Sequence, residues 1–165
     1  MNHRKLSAGE VAGTYHITAP VTEAELLSIA QAFARRRLGR GRKLTQPALA
    51  FEYLQMLMQD YEHEVFSAVF LDTQHRIIHF EELFRGTIDS ASVYPREVVK
   101  QALACNAAAV ILVHNHPSGD PEPSDADRRI TQRLQEALGL MEIRVIDHIV
   151  VGSEGCESLA ERGWL

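Results

Sequence analysis

Apolar positions along this chain recur at helical spacing in some segments and in short unbroken runs in others. The capping box Thr22–Glu25 is followed by apolar residues on one helical face, which predicts a helix that ends at about Leu38. A second apolar stripe, with Thr45 as its cap and Pro47 in its first turn, predicts another helix. Residues 1–20 have no such period, and we expect an irregular arm there.

From residue 64 onward, strand-like runs alternate with helical stripes. The predicted strands are Glu64–Leu71, Arg76–Phe80, Ala109–Val113 and Ile143–Val151, and helices are predicted to begin at Pro95 and Ser124. Asp72–His75 is typical of a hairpin turn between the first two strands, and we expect Ser158–Leu165 to form a short terminal helix or tail. Strands that alternate with helices imply an α/β domain.

The length of 165 residues allows one good core and leaves no room for two full-sized domains. We therefore predict an N-terminal arm and helical extension over residues 1–44, and one α/β domain over residues 45–165. No segment has a signal-peptide core or the length of a transmembrane helix, which predicts a cytoplasmic protein without membrane contact. Cys105 and Cys156 are too few for a disulfide framework and are expected to be free thiols.

The charge is distributed unevenly along the chain. The net charge is −5, yet residues 1–45 carry eight Lys and Arg residues against three Glu residues. The basic segment Arg35–Lys43 could contact DNA or an acidic partner. Alternatively, Arg35–Arg37 end a helix and complement its dipole. We favour this second interpretation, because the cluster is short and lacks interleaved aromatic residues.

The residues with the clearest chemistry follow the apolar run that ends at Val113. His114 and His116 stand at positions i and i+2, which share one face of an extended strand, so both imidazoles can converge on one ion. Catalytic zinc sites usually have three nitrogen or oxygen ligands and one position for water. Ser124–Asp127 is typical of a helix N-terminus, which is a commoner use of this pattern than metal binding. A first-turn carboxylate there would also lie near the imidazoles, so the two roles are compatible.

The arrangement resembles the JAMM zinc signature of the JAB/MPN metallopeptidase superfamily. It consists of His114-x-His116, followed by Ser124 and Asp127 at eight and eleven residues beyond the second histidine. The wider pattern, over roughly residues 45–165, is similar to the RadC branch of bacterial proteins through His114–Gly119, Pro95–Glu97 and Asp147–Gly152. This resemblance implies a mixed β-sheet flanked by helices, the JAB/MPN fold, which is related to the cytidine-deaminase fold.

The same resemblance implies a role for each of these residues. His114, His116 and Asp127 would bind one zinc ion, with water as the fourth ligand. Ser124 would hydrogen-bond the oxyanion that develops in the reaction, and a glutamate outside the zinc shell would act as general base and then as general acid. The best match for that glutamate is Glu64, at the start of a predicted strand, and the alternatives are Glu62, Glu81 and Glu82.

The implied activity is hydrolysis of peptide or isopeptide bonds by zinc-activated water, with a peptide or protein as substrate. Asn115 stands where many eukaryotic members have Ser or Thr, so ubiquitin-type substrates do not follow from the resemblance. The alternative function is a DNA-associated repair or mobile-element accessory factor with a mainly structural zinc site, which would use the basic segment Arg35–Lys43. His148 is expected to pack or hydrogen-bond within its strand, and the resemblance also allows a role beside the site.

Overall fold

A five-stranded mixed β-sheet is the framework of this protein. The computed structural model describes residues 5–44, 47–86 and 92–165. Its strands and helices, in chain order, are β1 (Leu6–Ala8), β2 (Tyr15–Ile17), α1 (Glu23–Arg37), α2 (Pro47–Met58), β3 (Val65–Leu71), β4 (Ile77–Arg85), α3 (Pro95–Ala104), β5 (Ala109–Asn115), α4 (Asp125–Gly139), β6 (Arg144–Gly152) and β7 (Gly155–Ser158). The sheet has the strand order β4-β3-β5-β6-β7, in which β5 and β6 are parallel and the other neighbours are antiparallel. The predicted α/β fold with a mixed sheet is confirmed.

Both faces of the sheet are covered, which explains why every residue of β3 and β5 is buried. Successive side chains of a strand point to opposite faces, so β3 contributes to two core layers. Val65, Val69 and Leu71 pack with residues of α2 and the end of α1, including Leu57 and Leu38. On the opposite face the layer contains residues of β3, α3 and α4, namely Phe66, Ala68, Phe70, Val98, Ala102, Leu134 and Leu138.

The N-terminal segment differs from the prediction. An irregular arm was expected, but β1 and β2 form a two-stranded antiparallel ribbon in which Leu6 lies opposite Ile17; residues 1–4 lie outside the described part of the chain. The ribbon contacts α1 through an ion pair between Lys5 Nζ and Glu25 Oε1 at 2.6 Å. Its two strands are short and largely exposed, so they carry no alternation of apolar and polar residues that a sequence could reveal.

The C-terminal segment also differs. A terminal helix or tail was expected from Ser158, but Gly155–Ser158 is an edge strand that pairs with β6 and contains Cys156. The polar sequence of the strand explains the error, because an edge strand depends on backbone pairing more than on apolar residues. Both cysteines of the chain are free, as predicted.

Several predicted boundaries shift while the elements remain. The capping box of α1 and the start of α2 at Pro47 are confirmed, whereas the predicted cap Thr45 lies outside the described residues. β4 continues to Arg85 instead of ending at Phe80, because its second half pairs with β3 up to Val65. No helix in residues 5–44, 47–86 and 92–165 is long and apolar enough to cross a membrane.

Candidate metal centre

Three side chains that can bind a metal ion converge at the end of β5. His114 is buried within the strand, His116 follows it, and Asp127 lies in the first turn of α4. His114 Nε2 lies 3.0 Å from His116 Nε2 and 3.2 Å from Asp127 Oδ1. His116 Nε2 lies 3.7 Å from Asp127 Oδ2. The three residues form a group whose ligand atoms are close enough to hold one ion.

The spacing and chemistry of this group fit a small divalent ion such as zinc. Tetrahedral ligands at about 2.0–2.1 Å from zinc lie about 3.3 Å from one another, which is close to the separations seen here. Although burial raises the pKa of Asp127, the imidazoles of His114 and His116 beside its carboxylate hold that pKa well below its ordinary value. The carboxylate is therefore charged at neutral pH, and together with two imidazoles it supplies the oxygen and nitrogen donors that zinc takes.

The N-terminus of α4 orients the carboxylate of Asp127. Ser124 is the N-cap, as predicted: the Asp127 N–H donates to Ser124 Oγ at 3.2 Å. In return, the Ser124 N–H and hydroxyl donate to Asp127 Oδ2 at 2.7 Å and 2.6 Å. These contacts hold Oδ2 and leave Oδ1 directed at His114. Helix capping and ligand placement are thus achieved by the same hydrogen bonds.

Residues 117–124, here called the ligand loop, connect β5 to α4 and pack on the turn between β6 and β7. A Cβ atom at Gly152 would overlap the carbonyl oxygen of Gly119, so the backbones touch at this point. Gly119 also has φ +93°, a conformation that favours glycine. His116 Nδ1 donates to Asp120 O at 2.9 Å, and Arg162 forms a two-pronged ion pair with Glu122. The loop is held by surface and backbone contacts.

Behind His114, on the side away from Asp127 Oδ1, lies a buried polar group. His114 Nδ1 lies 2.9 Å from His148 Nε2, and His148 Nδ1 lies 2.5 Å from Thr131 Oγ1. Burial lowers the pKa of His148 well below its ordinary value. The structure therefore places His148 beside the site. Sequence reasoning missed Thr131, although its position four residues after Asp127 puts it on the same face of α4.

Glu64 directly precedes β3, and its backbone is held from both sides. The side chain of Asn115 donates from Nδ2 to His63 O at 3.1 Å and accepts at Oδ1 from the Val65 N–H at 2.8 Å. The Gly86 N–H donates to Glu64 O at 2.8 Å. The Glu64 side chain is half-buried and lines a cavity of about 650 Å³ that is also lined by His116, Ser124 and Asp127.

The other candidate glutamates have different surroundings. Glu62 is exposed. Glu81 Oε2 lies 3.5 Å from His79 Nε2. Glu82 accepts hydrogen bonds from Tyr61 at 2.6 Å and from Arg35 at 3.2 Å. Glu81 and Glu82 lie on β4, which is separated from β5 by β3. Of the four candidates, Glu64 is the one that lines the cavity together with His116 and Asp127.

The basic segment Arg35–Lys43 spans the end of α1 and the loop that follows it. Arg35, Arg36 and Arg37 occupy the last helical turn, as the interpretation we favoured predicts. Arg35 contacts Glu82, and the guanidinium of Arg36 lies 5.0 Å from the ring centroid of Phe33. Two of the arginines are thus engaged within the chain, and contact with DNA stays a prediction.

A mixed sheet that carries a His-His-Asp group at the end of a central strand is the arrangement that the JAMM resemblance implies. The model of the family described as RadC-like JAB domain matches residues 44–164. The chain therefore belongs to the RadC-like JAB domain family, and the resemblance noted in the sequence is confirmed.

Several curated relatives, all called UPF0758 protein, are similar to this chain. One from Vibrio cholerae is 56% identical over 151 residues, which cover 92% of this chain and 95% of the relative. Others, from Chromohalobacter salexigens and Cellvibrio japonicus, are 61% and 64% identical over 80% and 76% of this chain. This chain spans 61% and 56% of the length of those two relatives.

Proposed function

We propose that this protein is a zinc-dependent hydrolase of peptide or isopeptide bonds. The observation that carries the proposal is the place of Glu64: a carboxylate outside the group of metal-binding residues lines the same cavity as His116 and Asp127. Metal-assisted hydrolysis needs this combination of an ion site and a separate group that moves protons.

The metal-binding residues supply three ligands, which is the number found in catalytic zinc sites with one open position. When bound, zinc would lower the pKa of a water molecule and polarise a substrate carbonyl. His114, His116 and Asp127 would hold the ion, and the capping hydrogen bonds from Ser124 would keep the carboxylate of Asp127 in place.

Glu64 is the proposed general base and general acid. Its carboxylate would take a proton from the attacking water and deliver it to the leaving nitrogen. This role requires the carboxylate to keep a constant position during both transfers. The hydrogen bonds of Asn115 to the residues before and after Glu64, and that of Gly86 to its carbonyl, restrict the backbone accordingly.

Ser124 is the proposed oxyanion donor. Its hydroxyl donates to Asp127 Oδ2 in the present structure, so it would have to rotate to reach a substrate oxygen. The Ser124 N–H would still donate to Oδ2 after that rotation, because it belongs to the backbone. The cavity also presents apolar side chains, among them Phe66, Val93 and Ile130, which suit an extended polypeptide substrate.

The test is a cleavage assay with the zinc-loaded chain and a library of synthetic peptides and isopeptide-linked peptides, read by mass spectrometry. We expect cleavage by the unaltered protein, and a loss of about 10²–10⁴-fold in rate for Glu64→Gln with unchanged zinc content. Glu62→Gln is the matched control, because it removes an exposed carboxylate two residues away. Absence of cleavage by the zinc-loaded protein, or an equal loss in both variants, would contradict the proposal.

A further inference from the structure

We propose that His148 and Thr131 are positioning residues that set the tautomer of His114, so that its Nε2 lone pair faces the ion. This inference rests on the proposed use of His114 as a metal ligand. Metal-binding histidines usually donate their second ring N–H to a carboxylate, a carbonyl or a water molecule. In this chain the group behind His114 is another histidine, which can either donate or accept. The other hydrogen bonds of this second histidine, His148, must therefore decide whether it donates to His114 or accepts from it.

The three side chains form one continuous series of hydrogen bonds inside the core. His114 Nδ1 and His148 Nε2 are 2.9 Å apart, and His148 Nδ1 and Thr131 Oγ1 are 2.5 Å apart. Thr131 Oγ1 lies 2.6 Å from Asp127 O, one helical turn back in α4. His114, His148 and Thr131 are each at most 1% exposed. Water is thus excluded as an alternative partner for most of their polar atoms.

The direction of each hydrogen bond follows from the carbonyl at the far end. Asp127 O can only accept, so the Thr131 hydroxyl proton must point to it. Thr131 Oγ1 can then only accept from His148, which places the proton of His148 on Nδ1. A neutral His148 consequently has a lone pair on Nε2 and accepts from the His114 Nδ1–H. His114 Nε2 is left without a proton, as a metal ligand must be.

A neutral His148 also agrees with its surroundings. The ring is completely buried, and the partners of its two ring nitrogens are a hydroxyl and an imidazole. A second proton would place a full charge in the core without a hydrogen-bonded carboxylate, which is costly. It would also put an N–H of His148 against His114 Nδ1 and force the proton of His114 onto Nε2, where the ion binds.

The series links two ligands of the same ion. It begins at the side chain of His114 and ends at the backbone of Asp127, whose side chain returns to His114 Nε2 at 3.2 Å. His114 and Asp127 are therefore oriented relative to each other before any ion arrives. Loss of such supporting hydrogen bonds typically lowers metal affinity by about 10–100-fold.

The experiment measures zinc affinity of the full chain by competition with a chromophoric chelator, for the unaltered protein, Thr131→Val and Thr131→Ser. Valine keeps the shape of threonine but has no hydroxyl, whereas serine keeps the hydroxyl. We expect zinc affinity to fall by about 10–100-fold in Thr131→Val and to stay near that of the unaltered protein in Thr131→Ser. Equal affinity in the two variants would overturn the proposal.

Long-range ¹H–¹⁵N correlation spectra of the zinc-free and zinc-loaded chain provide a readout that a purely structural role would not change. We expect His148 to carry its proton on Nδ1 in the unaltered protein. A proton on Nε2 would overturn the inference, whether or not any variant folds. If the unaltered protein binds no zinc, the proposed function fails, while the spectrum of the zinc-free chain still decides the tautomer of His148.

Discussion

His114 and His116 are two residues apart in the chain, but they belong to different regions of the molecule. His114 lies in a buried strand, and its ring contacts His148 in the core. His116 lies between that strand and the ligand loop, and its ring contacts the carbonyl of Asp120 in the loop. The side chain is 1% exposed for His114 and 21% exposed for His116.

The comparison indicates that one side of the metal centre depends on the core and the other on the surface. Contacts in the core cannot be lost without a cost to the folded state, whereas surface segments can open locally. The ligand loop depends on backbone contact with the β6–β7 turn and on the ion pair of Glu122 with Arg162. We therefore expect equal changes on the two sides to have unequal effects.

The largest effect is expected from removal of either histidine. His114→Ala and His116→Ala should both lose the roughly one zinc ion per chain expected for this site, because two ligands are too few to retain it. His114→Ala should also destabilise the zinc-free protein by about 1–3 kcal/mol, because it leaves a ring nitrogen of buried His148 without a partner. Metal analysis and urea unfolding measure the two effects. Equal unfolding midpoints for the two zinc-free variants would contradict the distinction between the sides.

Bound zinc should stabilise the folded protein, because it would join His114 on the core side to His116 on the surface side. At a free zinc concentration of about a thousand times the dissociation constant, binding should add about 4 kcal/mol to the free energy of unfolding. The measurement is unfolding with zinc and with a chelator. Asp127→Asn is the control, because it keeps the shape of the ligand and removes its charge. The same zinc-dependent gain in that variant would show that the ion binds elsewhere.

Asn115→Ala should destabilise the core side of the site, where the Asn115 side chain bonds the backbone next to the start of β3. The variant leaves the Val65 N–H and the His63 carbonyl without the amide that now bonds both, which should cost about 1–3 kcal/mol. Urea unfolding gives this cost, and amide hydrogen exchange should show faster exchange at Val65. Val69, in the middle of β3, serves as the internal control. Unchanged exchange at Val65 would mean that the Asn115 side chain does not hold this strand end.

The smallest effect is expected from Arg162→Ala on the surface side. The variant removes the ion pairs of Arg162 with Glu122 and Glu157, so amide exchange should become faster in the ligand loop while the unfolding midpoint changes little. High salt should reduce the difference from the unaltered protein. Arg129→Ala is a matched control, because Arg129 is exposed on α4 and has no ion pair among the described residues. Faster exchange in the control as well would rule out a specific role of Arg162.

Local geometry explains which parts of the site the sequence could predict. His114 and His116 follow from the two-residue period of a strand, and Ser124 and Asp127 follow from the geometry of a helix cap. All four lie in one contiguous segment, so no information on distant pairing is needed. The resemblance to a known signature adds the expectation that the ion is zinc.

The residues that support the site are brought to it by the register of strand pairing. A single sequence does not determine that register. The proposed choice of Glu64 over the other glutamates depends on the antiparallel pairing of β3 with β5, which brings the residue before β3 close to the candidate ligands. The contact of His148 with His114 depends on the parallel pairing of β6 with β5. The same reason explains the missed β1–β2 ribbon and β7, because pairing rather than hydrophobic pattern defines those short strands.

The contact between Gly119 and Gly152 has a consequence for protein engineering. The two glycines belong to segments far apart in the chain, but a Cβ atom at Gly152 would overlap the backbone of Gly119, and a Cβ atom at Gly119 would meet the side chain of Ser153 in the β6–β7 turn. A ligand loop transplanted from a related domain would therefore need its own β6–β7 turn to accompany it. The ligand loop and the β6–β7 turn would therefore have to be replaced together. Libraries that vary the loop alone should yield mostly chains in which His116 is displaced.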